Sequence, residues 1–72
     1  MGPTYEMRPG TLKGMGREVT CIVGVTFGNY VHSSRSTIQN APPDLPDGQY
    51  LFTFRNGSIP FRKIRGLWFE GE

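Results

Sequence analysis

Residues 48 to 70 read GQYLFTFRNGSIPFRKIRGLWFE, and apolar side chains occupy both alternations of that run. Asn56-Gly57 and Arg65-Gly66 are turn pairs, so the stretch divides into three short strands of an antiparallel meander. Pro60 limits how those strands pair. With Asn56-Gly57 as a two-residue loop, Thr53 and Pro60 form a hydrogen-bonded pair, and proline has no N–H to give. A four-residue loop, Arg55 to Ser58, makes Phe54 and Ile59 the bonded pair instead. Pro60 then turns its missing donor to the other side, near the free end of the third strand. In this register one face carries Tyr50, Phe52, Phe54, Ile59, Phe61, Lys63 and Trp68. The other carries Leu51, Thr53, Arg62, Ile64, Leu67 and Phe69. A chain of 72 residues can shelter one of those faces well. The other keeps apolar area beside basic groups, which usually marks an interface.

The remainder must supply the shelter. Val19, Cys21, Val23, Val25 and Phe27 alternate with Thr20, Ile22, Gly24 and Thr26, the period of a strand. Gly28-Asn29 fits a two-residue loop with glycine first, and the return strand starts at Tyr30 and runs into the polar Ser33 to Thr37 stretch. The Val/Cys/Phe row of this hairpin is the natural lid for one face of the meander. QNAPPDLPDGQ, residues 39 to 49, is a connector: Pro42 and Pro43 cannot continue a sheet interior, and Asp47-Gly48 is a turn pair. Residues 1–17 hold four glycines, two prolines and no sustained periodicity. They read as a flexible basic arm, with Arg8, Lys13 and Arg17 against Glu6. The expected fold is therefore all-β. It is a small antiparallel two-hairpin sandwich or partly open barrel of about five short strands, forming one domain over 18–72 behind the arm.

So small a core rarely supplies more than ~3–5 kcal/mol, and small domains make up the shortfall with disulfides, metal or a partner. Cys21 and His32 are each the sole residue of their type. No internal disulfide is possible, and no tetrahedral zinc set. Neither a metal nor a cofactor is expected. Nucleophilic catalysis needs Cys21 beside His32. In the expected hairpin Cys21 faces Ser36 and His32 faces Val25, about 13 Å apart along the sheet at the rise of a strand. The acids are scattered. GTLKGMGR matches neither phosphate-binding glycine motif, with Val19 where the dinucleotide fingerprint wants its last glycine. The expectation is a protein that is not an enzyme. No apolar run reaches the ~20 residues of a membrane span, and no signal-type apolar stretch opens the chain. With one lone thiol, the expected compartment is cytoplasmic.

Net charge is only +2, but Arg55, Arg62, Lys63 and Arg65 fall between Gly48 and Phe69 with no acid among them. Local bias of that kind steers a protein toward anionic partners. The expected partner-binding residues are Arg55, Arg62, Lys63 and Arg65, with Trp68 and Phe69 as anchors. They suit a non-enzymatic regulatory or binding protein that docks on a larger protein or complex, since interface centres favour Trp, Phe and Arg. The alternative is a single-stranded RNA- or DNA-binding module in which bases stack on the same rings. A third possibility is a homodimer formed through an exposed sheet edge.

YVHSSRSTIQN followed by LPDGQYLFTF resembles the second half of a cold-shock domain, with its V-x-V-H-F-S-x-I and E-G-Q-x-V-x-F strands. The resemblance covers Tyr30 to Phe54, under half of the chain, and implies a five-stranded barrel. The family's base-stacking signature, K-G-F-G-F, has no counterpart in VGVTFGNY. The family's nucleic-acid binding is therefore not carried over.

Overall fold

The computed structural model describes residues 4–27 and 34–72. They form six strands: β1 (Thr4–Gly14), β2 (Arg17–Phe27), β3 (Arg35–Ile38), β4 (Gly48–Phe54), β5 (Gly57–Ile64) and β6 (Leu67–Glu70). All lie in one sheet in the order β3-β2-β1-β4-β5-β6, and every neighbouring pair is antiparallel. The sheet curls until its two edge strands meet. β3 and β6 approach within 8 Å between Cα atoms, although no ladder joins them. One bond bridges the seam, from the Ser36 N–H to Glu70 Oε1 at 2.9 Å. The fold is all-β, as expected, and it is a nearly closed barrel of six strands rather than five.

The extra strand comes from the segment expected to be a flexible arm. β1 is an inner strand of the sheet, paired with β2 along its whole length and with β4 through Thr11, Lys13 and Leu12. Its glycines hid it. A Cβ on Gly10 would collide with the Thr53 carbonyl oxygen and the Phe52 ring, and one on Gly14 with the Gln49 carbonyl and Tyr50. β4 crosses β1 too closely for side chains there, so glycine is what the packing requires. Pro9 is tolerated for a different reason. Counting alternately from the Gly14↔Arg17 pair that closes the turn, its nitrogen faces away from β2, and the ladder to β4 ends at Thr11. Met15 and Gly16 close the hairpin at φ 51° and 73°, the left-handed pair that matches strand twist.

Two registers differ from expectation, both by an even number of residues. Val25, not Cys21, stands opposite Ser36, and Thr26↔Arg35 is the last pair before the connection. The proposed Gly28-Asn29 loop, Tyr30 and His32 lie outside the described residues. In the second hairpin Phe54 pairs with Gly57, so the loop is Arg55-Asn56. An even slip leaves each side chain on its face, whereas an odd one would invert the strand. The Gly71 N–H donates to the Pro60 carbonyl at 2.8 Å. Pro60 therefore faces the β6 side just past Glu70, where its missing donor interrupts no strand pairing, as its sequence position suggested.

The core holds Leu12, Cys21, Val23, Val25, Tyr50, Phe52 and Phe61, with Val19, Phe27, Ile38, Phe54, Ile59 and Trp68 packed against them. The odd-numbered row of β2 is the lid that the alternation called for. The proline connector closes one end of the barrel. Leu45 is buried, the Tyr50 hydroxyl donates to the Pro46 carbonyl, and Lys63 Nζ donates to the carbonyls of Leu45 and Pro43 at 2.7 and 3.2 Å.

Candidate docking face

Alternation along β4, β5 and β6 sorts their side chains strictly. Tyr50, Phe52, Phe61 and Lys63 point into the barrel and are buried. Leu51, Ile64, Leu67 and Phe69 point outward and keep 44%, 44%, 63% and 43% of their surface exposed. Cross-strand pairing makes these outward residues neighbours. Leu51 stands opposite Pro60, Ile64 opposite Leu67, and Arg62 opposite Phe69. Arg62 thus sits between Pro60 and Ile64 on its own strand, with Phe69 beside it. Gln49 is its partner on the β4 side, so apolar residues flank Arg62 on three sides and a polar one on the fourth.

The structure brings some of the expected binding residues together and separates others. Arg62 and Phe69 are direct partners on the outer face, and Arg65 is exposed at the turn joining β5 to β6. Arg55 lies in the turn at the opposite end of β5. At about 3.3 Å per residue the strand separates it from Arg65 by roughly 25 Å. Lys63 and Trp68 require correction, because both belong to the interior. Lys63 is 6% exposed, and its ammonium lies 5.5 Å from the Trp68 ring centroid as well as on the two connector carbonyls. Trp68 packs edge-to-face on Tyr50 with centroids 5.0 Å apart. Parity explains both: they stand opposite one another and alternate with the outward Arg62, Leu67 and Phe69. Leu51, Ile64 and Leu67 were missed as contact residues although the same alternation places them beside Arg62.

Electrostatics distinguish the arginines. Glu6 pairs with Arg8, Glu18 with Lys13, and Asp44 with Arg17. Asp47 accepts the backbone N–H groups of Arg65 and Gly66 at 2.7 and 3.2 Å. That fixes the turn in which Arg65 adopts φ 52°. Arg35, Arg55, Arg62 and Arg65 have no side-chain carboxylate within 4 Å among the described residues. Among the described residues, the one hydrogen bond from the Arg62 guanidinium goes to the main-chain oxygen of Glu72, the last residue of the sequence, at 3.0 Å.

The groups considered for chemistry have structural settings. Burial raises the Cys21 thiol above its ordinary pKa, which suppresses the thiolate a nucleophile needs. Burial also raises the Tyr50 phenol, with the Arg17 charge opposing and the Asp47 charge adding to the rise. Among the described residues no cluster of His, Cys, Asp and Glu could hold a metal, and no helix is long and apolar enough to cross a membrane. In comparisons with known proteins no family model, no curated protein and no solved structure matches this chain.

Proposed function

We propose that this chain is a non-enzymatic binding protein that docks on a larger protein through the outer face of β4, β5 and β6. One observation carries the reading. Leu51, Ile64, Leu67 and Phe69 are all exposed on a single face around Arg62, which has no side-chain carboxylate within 4 Å among the described residues. Apolar surface gathered around an arginine is the anatomy of a protein interface centre.

Single-stranded nucleic acid is the weaker reading because the rings it needs are turned inward. Tyr50, Phe52 and Phe61 are buried, and Trp68 packs on Tyr50. Phe69, by contrast, lies exposed on this outer face. Bases stack on aromatic faces, and aliphatic Leu51, Ile64 and Leu67 offer none.

The test is affinity recovery from a nuclease-treated lysate with wild type and with the double variant Leu67→Gln, Phe69→Ser. Both positions are exposed, so the variant should melt with wild type. Wild type is expected to retain a protein partner up to high salt, and the variant to lose it. Recovery that vanishes on nuclease treatment, or that falls with a steep log–log salt slope, refutes the reading.

A further inference from the structure

Where β3 meets β6 the barrel surface is concave. A cleft of about 510 Å³ opens there, and Arg35 and Thr37 from one edge and Arg62, Phe69 and Glu70 from the other side help to line it. The two edges are too far apart for a ladder. At under 8 Å between Cα atoms they are also too close to admit another strand, which needs about two inter-strand spacings, or ~9.5 Å. A side chain fits such a gap, whereas an added strand does not.

Resting on the docking reading, we propose that this cleft receives an acidic side chain, Asp or Glu, of the docked protein, with Arg35 and Arg62 as its donors. The two guanidiniums come from strands far apart in the sheet order, β3 and β5, and reach the same cleft because the barrel closes. Neither has a side-chain carboxylate within 4 Å among the described residues. Glu70 also lines the cleft; its Oε1 is turned to the Ser36 N–H at 2.9 Å, and its one negative charge is outnumbered there by the two guanidiniums. A guanidinium carries five N–H donors in a planar fork that matches a carboxylate. Arg62 directs Nη1 to the main-chain oxygen of Glu72, the last residue of the sequence, and its other nitrogens make no hydrogen bond among the described residues. Phe69 and, beyond it, Leu67 and Ile64 form an apolar shoulder that a partner's apolar side chains would cover. Removing water there strengthens the charge-assisted bonds.

The alternative occupants fit less well. A second copy would bring Arg62 and Arg65 against arginines of the same face, and like charges oppose that contact. A nucleic-acid backbone is held by many phosphate contacts, and two arginines in a chain of net charge +2 supply few.

The experiment selects random 12-residue peptides displayed on phage against the immobilised full chain, then measures the affinity of the enriched peptides. Enriched peptides are expected to carry Asp or Glu flanked by apolar residues. Arg62→Glu and Arg35→Glu should each weaken them by ~10-fold or more, a magnitude typical of breaking a desolvated charge pair. Changing the peptide acid to Lys should restore affinity in the Arg62→Glu protein. Thr20→Glu, exposed on β2, is the control and should change nothing. No enrichment, enriched peptides lacking an acid, or unchanged affinity in the Arg62→Glu, Arg35→Glu double variant overturns the proposal. So does Arg62-dependent binding of a single-stranded oligonucleotide in place of peptide. Loss on Leu67→Gln with indifference to both reversals removes the acid site and leaves the docking face standing. Indifference to Leu67→Gln as well removes both.

Discussion

Lys63 and Arg62 are adjacent basic residues that the structure sends to opposite sides of β5, and replacing each with methionine separates their roles. Lys63→Met removes the donor to the Leu45 and Pro43 carbonyls at 2.7 and 3.2 Å, and the cation 5.5 Å from the Trp68 ring. A hydrogen bond from a charged group is worth about 1.5–3 kcal/mol net. The Leu45 bond is buried and takes the upper part of that range. The Pro43 bond takes the lower part, because Pro43 is exposed and water can replace the lysine there. Lost cation–π attraction adds ~0.5–2 kcal/mol. Methionine returns some of this, since it packs and no ammonium has to be desolvated. The net loss is about 2–4 kcal/mol, much of the stability of so small a domain. At ~4–8 °C per kcal/mol for this chain length, Tm should fall by roughly 8–30 °C. Arg62→Met, on the surface, should stay within about 0.5 kcal/mol of wild type. Urea titration and thermal melting followed by circular dichroism give both numbers. If Lys63→Met melts with wild type, or if Arg62→Met is the more damaging, the assignment of faces on β5 is wrong.

Glycine positions give a second contrast: Gly10→Ala should cost ~1–3 kcal/mol by overpacking against Thr53 and Phe52. Gly57→Ala meets nothing nearer than 3.7 Å and should be neutral or stabilise by up to ~1 kcal/mol; equal midpoints for the two in urea would show that β4 does not cross β1 so closely. Asp47→Ala leaves the Arg65 and Gly66 N–H groups uncapped and should cost ~1–2 kcal/mol, with Asp47→Asn intermediate; a wild-type melt for Asp47→Ala would dismiss the cap. Cys21 and Tyr50 predict an alkaline limit. Their folded pKa values lie above the ordinary 9.0 and 10.0, so above those values the unfolded chain gives up protons that the folded one retains. Stability is therefore full below about pH 9 and falls as pH rises through the folded values; Cys21→Val should remove the lower part of the fall, and a pH-independent urea midpoint between 8.5 and 11 contradicts the burial of both groups.

The parts of this fold that were legible in the sequence are those where periodicity survives. β2 keeps an unbroken alternation from Val19 to Phe27, and the 48–70 run keeps its own on either side of two turns. The two faces followed directly, although which of them β2 would cover did not. β1 was not legible because its inward positions are Leu12 flanked by Gly10 and Gly14. Glycines selected by the close crossing of β4 look, in one dimension, like those of a flexible tail. Register was lost where loop length was ambiguous, but only in steps of two. The candidate site was half legible for a related reason. Charge was read along the chain as one cluster, whereas pleating divides it, so Arg62 and Phe69 stay outside while Lys63 and Trp68 go in. Nothing in the one-dimensional pattern shows that a lysine beside prolines will cap their loop.

That division makes the candidate docking face a consequence of turn chemistry more than of composition. A one-residue slip of β6 against β5 would place Leu67 and Phe69 inside and swing Trp68 out, turning the surface into an aromatic platform. Both alternations are apolar enough that burial alone resists such a slip weakly. Backbone devices at the turns do the selecting. Arg65 and Gly66 hold φ 52° and 80°, which fixes a two-residue loop, and the Asp47 carboxylate grips the N–H of each. Across the strand, Pro60 accepts from Gly71 but gives no N–H, so it suits only the position where the pairing runs out. The choice between an aliphatic–arginine face and a base-stacking face therefore rests on a few groups at the margins of β5 and β6, which lie outside the face itself.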